Sequence, residues 1–229
     1  MISQRFRGVI SVIAICALFT LVSLIISNQG PLMNTSGNSM HFILDAGHGN
    51  PDGGTVSADG TKESDLNLAI TNKISKSLSQ KNISSLMTRT SEESIYTEGK
   101  TIHEKKVSDI RNRIDIADQT PNVPLVSIHM NSYPDPSVYG IQVFYGNGDL
   151  AKKIATDLQS AINTDLQPNH TKVAKQVSKN VYLFSHISNP VILIECGFLT
   201  NTEELAKLKS EEYQIQLAEI IAKVLSDHS

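Results

Sequence analysis

The stretch His41-Phe42-Ile43-Leu44-Asp45-Ala46-Gly47-His48-Gly49 decides how the chain is read. Its apolar run has the length of a strand and ends in a polar, glycine-flanked turn. Beyond the turn the period changes: Leu66, Ile70, Ile74 and Leu78 recur every four residues as one face of a helix. The same alternation continues outward. Residues 83–88, 125–129, 140–145, 181–184 and 191–195 read as strands. Val107, Ile110, Ile114 and Ala117 form a helical stripe, as do Leu150, Ile154, Leu158, Ile162 and Leu166. Tyr213, Leu217, Ile220 and Val224 close the chain on a last helix. Strands interleaved with helices predict an α/β domain with a single, mostly parallel central sheet of about six strands and helices on both faces. There is no internal repeat and no second domain.

Composition bounds the function. In 229 residues, 40% are apolar and 19% charged, which excludes intrinsic disorder. Twenty basic residues against 23 acidic give a net charge of −3, so no nucleic-acid partner is expected. The charge is unevenly placed. Residues 1–40 contain Arg5 and Arg7 and no other charge, and residues 8–27 are all apolar or small. Twenty helical residues span about 30 Å, the thickness of a bilayer core. With the polar exit Asn28-Gln29-Gly30-Pro31, the pattern predicts a signal peptide or signal anchor over residues 1–27, a polar linker over 28–40 and a folded domain over 41–229. The length of the run and the lack of a small-x-small cleavage site favour the anchor. Cys16 follows Ile15 rather than the small residue of a lipidation site. Positive charge ahead of the run puts the domain outside the cytoplasm, membrane-anchored or secreted. Without Arg5 and Arg7, 18 basic residues face 23 acidic ones, a net −5. Cys196 then has no partner in the domain, and no disulfide is expected.

Three strand ends carry chemistry. The first strand runs into His48, the strand 125–129 ends in Ser127-Ile128-His129-Met130-Asn131, and the last ends in Ile194-Glu195-Cys196-Gly197-Phe198. In a parallel sheet these ends share one rim, where α/β proteins bind their ligands. Glu63 opens the helix that follows the first loop and faces the same rim. Two imidazoles and one carboxylate, with a fourth position open to water, form a common catalytic zinc set, and the second carboxylate is free for proton transfer. Spacing alone does not decide which carboxylate does which. Each group also has a structural reading: a strand-end histidine held by hydrogen bonds, a first-turn glutamate favoured by the helix dipole, a paired glutamate. The apolar run before Glu195 weighs against the last, because a buried carboxylate without a partner costs several kcal/mol. His41, His103, His170, His186 and His228 have no comparable placement and read as surface or structural residues.

Five strings occur in one order: Asp45-Ala-Gly-His48-Gly, Lys62-Glu63 with Leu66-Asn67-Leu68 following, Thr88-Arg89, Ser127-Ile-His129-Met-Asn131, and Ile194-Glu195-Cys-Gly-Phe198-Leu-Thr-Asn201. In this order and over residues 41–224, the chain resembles the zinc-dependent N-acetylmuramoyl-L-alanine amidases of the family 3 type. The resemblance implies that His48, Glu63 and His129 bind Zn2+ and that Glu195 is the catalytic carboxylate. It implies hydrolysis of the amide joining N-acetylmuramic acid to L-alanine of the peptidoglycan stem peptide. Ala46 stands where the family more often has Pro, and Asn50 where it has Gly, but neither position supplies a ligand. Cys196 reads as a small buried apolar residue rather than a nucleophile. Arg89 and Asn131 read as supporting residues.

The domain is minimal for such enzymes. Its one long insertion, residues 92–106, is polar apart from Ile95, Tyr96 and Ile102, which suits a groove-lining loop better than a lid. An anchored, minimal architecture most resembles the germination-specific amidases of spore cortex, which prepare muramic lactam, and leaves room for an activator protein. Two alternatives are another zinc hydrolase of the same ligand type, a peptidase or deacetylase, and a non-catalytic peptidoglycan-binding module. The chain has no H-E-x-x-H, which disfavours a helical metalloprotease. A silent module would be free to lose groups that are all kept here.

Overall fold

The computed structural model of the protein describes residues 40–229 except 147, 179 and 180. The expected leader over residues 1–27 and nearly all of the linker lie outside the described residues. Among the described residues no helix is long and apolar enough to cross a membrane. The elements run β1 (Phe42–Ala46), α1 (Glu63–Gln80), β2 (Ser85–Met87), α2 (Ile102–Asp118), β3 (Leu125–Asn131), β4 (Gln142–Tyr145), α3 (Asp149–Asp165), β5 (Lys175–Gln176), α4 (Tyr182–His186), β6 (Val191–Phe198), α5 (Thr202–Lys209) and α6 (Glu211–Ser226).

The six strands form one sheet in the order β2-β1-β3-β6-β4-β5. All neighbours are parallel except β4 and β6, which are antiparallel. The α/β class and the single, mostly parallel sheet are therefore as the periodicity predicts. Side-chain alternation divides the strands between two faces. Phe42, Leu44, Val126, Ile128, Ile192 and Ile194 pack with α1, α3 and α6, while Ile43, Leu125, Val191 and Leu193 pack with Ala117 of α2 and Leu183 and Phe184 of α4.

Two assignments are corrected. Residues 181–184, predicted as a strand, lie in and next to the short helix α4. Leu183 and Phe184 are buried against the sheet while Tyr182 is exposed. An apolar run this short fits a buried strand and a buried helical turn equally well, and tertiary packing selects the turn. The sixth strand is instead β5, two exposed polar residues at the sheet edge that pair with Phe144 and Tyr145 and carry no apolar signal. The helix α5 was also not foreseen. It is started by the Asn201 side chain, which accepts a hydrogen bond from the Glu204 N–H.

The turn after β1 is held by its own backbone carbonyls. Arg89 donates to the carbonyls of Ala46 (2.8 Å), Gly47 (3.1 Å) and Ser64 (2.8 Å). Arg113 of α2 donates to Ala46 (3.0 Å) and His48 (2.7 Å). Asn67 of α1 donates to Gly47 (3.0 Å). These bonds fix His48 at a φ of 60°, an unusual conformation for a residue with a side chain. Both arginines are buried, and their charge is met by Asp45 and Asp109, each of which pairs with Arg113. Asp45 also accepts from Thr88 (2.8 Å) and Ser127 (2.6 Å). Burial pushes the Asp45 carboxyl up, but Arg113 and the hydroxyl donors outweigh it and hold the pKa at about 2.

A pH dependence follows. The folded value of about 2 lies below the reference of 3.8. The ionised network therefore stabilises the fold fully above about pH 4, and its contribution, about 2 kcal/mol, is lost as the pH falls through 2. Urea unfolding at pH 6 and pH 2 is expected to show this loss in the unaltered protein and its absence in Asp45→Asn. Equal acid dependence in the two proteins would contradict the assignment.

Candidate active site

The structure brings His48, Glu63, His129 and Glu195 to the carboxyl ends of the parallel strands. His48 leaves the turn after β1, Glu63 is the first residue of α1, and His129 and Glu195 are cross-strand partners on β3 and β6. Glu63 Oε1 is the hub, 3.3 Å from His48 Nε2 and 3.0 Å from His129 Nδ1. It also accepts from the Met130 N–H (3.1 Å), and Oε2 accepts from the Thr55 N–H (2.9 Å). One ligand atom from each of His48, Glu63 and His129 lies within 4.8 Å of the other two. That spacing and the N/N/O donor set suit a divalent transition metal.

Glycines make the gathering feasible. A Cβ on Gly47 would stand 2.2 Å from His129 Nε2, so the imidazole occupies the space of a side chain. Gly54, at a φ of 69°, would put a Cβ 2.6 Å from Glu63 Oε2 and 2.8 Å from His48 Cδ2.

Asp52 was not singled out by sequence, although it follows His48 by four residues. Its Oδ2 lies 2.9 Å from His48 Nδ1 and 3.0 Å from Lys106 Nζ. A carboxylate at Nδ1 holds that nitrogen as an N–H donor and leaves Nε2, on the Glu63 side, as the atom that would ligate a metal. Burial works against a protonated His48, but the hydrogen bonds to Asp52 and Glu63 outweigh it and raise its pKa to about 9. Glu63 is also opposed by burial, yet its two histidine partners hold it well below the usual carboxylate range.

Glu195 behaves differently. Its Oε2 is buried and has no hydrogen-bond partner. Burial raises its pKa, which neighbouring Glu63 reinforces and the two histidines oppose. A carboxylate with an unused oxygen and an affinity for protons beside a metal-capable group has the properties of a general base. A cavity of about 270 Å³ opens over His48, His129 and Glu195, with Tyr182, Leu183 and Phe184 as its apolar wall and Lys106 at its rim. Lys106, read from sequence as the end of a 92–106 loop, lies in α2, because the Thr101 cap starts that helix at Ile102. The helix wall was missed by sequence because residues 181–184 read as a strand.

The other sequence candidates have structural roles. Arg89 holds the β1 turn, and Asn131 accepts from the Ser132 N–H. Cys196 is free, buried and raised in pKa by burial, as befits an inert thiol. His41 bonds Ser84, His228 pairs with Asp157, and His170 and His186 lie against tyrosines.

A doubly wound α/β sheet that gathers two imidazoles and two carboxylates at its carboxyl rim is the framework of a hydrolase. Residues 42–227 match the family described as N-acetylmuramoyl-L-alanine amidase, and the chain belongs to that family. It is 33% identical over 184 residues to the germination-specific N-acetylmuramoyl-L-alanine amidase of Bacillus subtilis, covering 80% of this chain and 76% of that one. Among solved structures, the CwlD amidase from Clostridioides difficile, determined in complex with the GerS lipoprotein, superposes with a TM-score of 0.77 at 32% identity, covering 82% of this chain and 96% of that one. The catalytic domain of CwlV, an N-acetylmuramoyl-L-alanine amidase from Paenibacillus polymyxa, gives 0.65 at 25% identity, covering 82% and 96%. The protein is thus a peptidoglycan amidase.

Proposed function

We propose that the protein is a zinc-dependent amidase in which His48, Glu63 and His129 hold the metal and Glu195 moves the proton. The observation that carries this reading is the contrast between the carboxylates: Glu63 is saturated by two histidines and two backbone N–H groups, while Glu195 keeps a buried oxygen unpartnered. Bound zinc would supply Lewis acidity, polarising the scissile carbonyl and lowering the pKa of water. Glu195 takes the proton from water as its oxygen attacks the lactyl carbonyl carbon. The same carboxyl group then gives that proton to the L-alanine nitrogen, which cannot leave as an amide anion. The products are a free lactyl carboxylate on the sugar and a stem peptide with a new L-alanine amino terminus. Asp52 keeps His48 oriented throughout, and the apolar wall of α4 limits the access of bulk water.

Residues 41–229 form the catalytic domain in this reading, and residues 1–27 export it and hold it at the outer side of the membrane, in the cell wall or the space around the forespore. Similarity to the germination-specific amidase and to CwlD supports a role in spore cortex, and the complex of CwlD with a lipoprotein supports an activator partner. Metal analysis tests the zinc assignment. The purified protein is expected to carry about one zinc per chain, to lose activity on chelation and to regain it with added zinc. Activity that survives complete removal of metal would contradict it.

A further inference from the structure

Glu195 and Leu193 of β6 line the catalytic cavity. Their partners on the adjacent antiparallel strand β4 are Gln142 and Phe144. Directly opposed residues share a face, so the catalytic face continues one strand further, about 5 Å away. A second cleft, of about 500 Å³, lies there, floored by Gln142, Phe144, Phe198 and Asn131 and bordered by Lys172 and Lys175.

This cleft is cationic in a domain that is acidic as a whole. Lys172 is held in place: its Nζ donates to the carbonyls of Tyr139 (2.9 Å) and Gly140 (2.7 Å) and lies 5.6 Å from the Phe198 ring centroid. Two of its three N–H bonds are used on neutral acceptors, which leaves the third available. The nearby carboxylate of Glu204 accepts from the N–H groups of Gly140 (2.9 Å) and Phe198 (2.8 Å), and it offsets part of the Lys172 charge without pairing with it. Among the described residues neither Lys172 nor Lys175 takes part in an ion pair. A fixed cation beside an amide-cleaving centre calls for an anionic part of the substrate.

We propose that this cleft binds a free carboxylate of the departing stem peptide, between Lys172 and Lys175. The inference rests on the amidase reading, and the chemistry of that substrate selects the peptide side. The N-acetylated sugars are neutral, and the lactyl carboxyl is consumed in the scissile amide. Free carboxylates therefore begin on the peptide, at the residue after L-alanine, whose α-carboxyl is left free when the chain continues through its γ-carboxyl. The cleft fixes which side of the catalytic face the peptide takes, and it makes amidation of that α-carboxyl a determinant of specificity.

Two muramoyl tripeptides that differ only in a free or an amidated α-carboxyl at the second residue test this. The unaltered protein is expected to show a KM roughly tenfold lower for the free acid. In Lys172→Gln/Lys175→Gln that distinction is expected to vanish, the KM for the free acid rising to that for the amide. Lys175→Gln alone, at an exposed position whose side chain makes no hydrogen bond or ion pair among the described residues, is expected to lose part of it. Equal KM values for both substrates in the unaltered protein would overturn the inference, as would variants that weaken both substrates equally. Failure of the unaltered protein to cleave either one would instead overturn the amidase reading beneath it.

Discussion

Glu195→Gln is expected to lower kcat by about 10³-fold while zinc content and melting temperature are kept, because general-base groups contribute about 10² to 10⁴ in rate. Glutamine has the shape of glutamate and cannot take a proton. The structural cost of the change is small, since the Glu195 Oε2 makes no hydrogen bond that would be lost. Burial already disfavours the ionised carboxylate, so a neutral side chain sits at least as well in that position. A variant that melts no lower than the unaltered protein yet scarcely turns over would show that the site keeps a destabilised group for its chemistry. Activity within threefold of the unaltered protein would remove Glu195 from the mechanism.

Glu63→Ala is expected to fail earlier, at metal binding. Glu63 Oε1 meets both His48 and His129, so its loss removes one donor and the hub that orients the other two. Changing a residue that merely orients a metal ligand costs about 10- to 100-fold in affinity, and loss of a ligand is expected to cost at least 100-fold. Zinc titration of the purified variant measures this directly. The two glutamates thus separate: one variant keeps zinc without turnover, and the other loses zinc and turnover together. Zinc lost from Glu195→Gln and kept by Glu63→Ala would mean that the carboxylates have exchanged roles.

The sheet was legible because its central strands announce themselves. The runs at residues 41–45, 125–129 and 191–195 are apolar, too short for helices, and end in the polar residues that the rim requires. Those polar ends are also why His48, His129 and Glu195 could be placed at one rim before their distances were known, and Glu63 joined them as the first residue of the helix after the first loop. What sequence did not show depends on the third dimension. The order of Val181, Tyr182, Leu183 and Phe184 carries no period, so only packing on Leu125 and Leu193 decides that they form a helical wall. The strand Lys175–Gln176 has no apolar residue to mark it and exists because β4 offers an unpaired edge. The network of Asp45, Arg89 and Arg113 joins residues up to 82 positions apart, and no local pattern reports it. Asp52 was nearest to being readable, four residues after a candidate ligand, yet a turn carboxylate is common enough that its bond to His48 had to be seen.

The account stands on which bond is broken, and mass spectrometry of peptidoglycan fragments after digestion tests that most directly. It predicts intact stem peptides that begin with a free L-alanine amino group, together with glycan carrying unsubstituted lactyl carboxylates. Released acetate, or peptides cut within the stem while L-alanine stays attached to muramic acid, would contradict it.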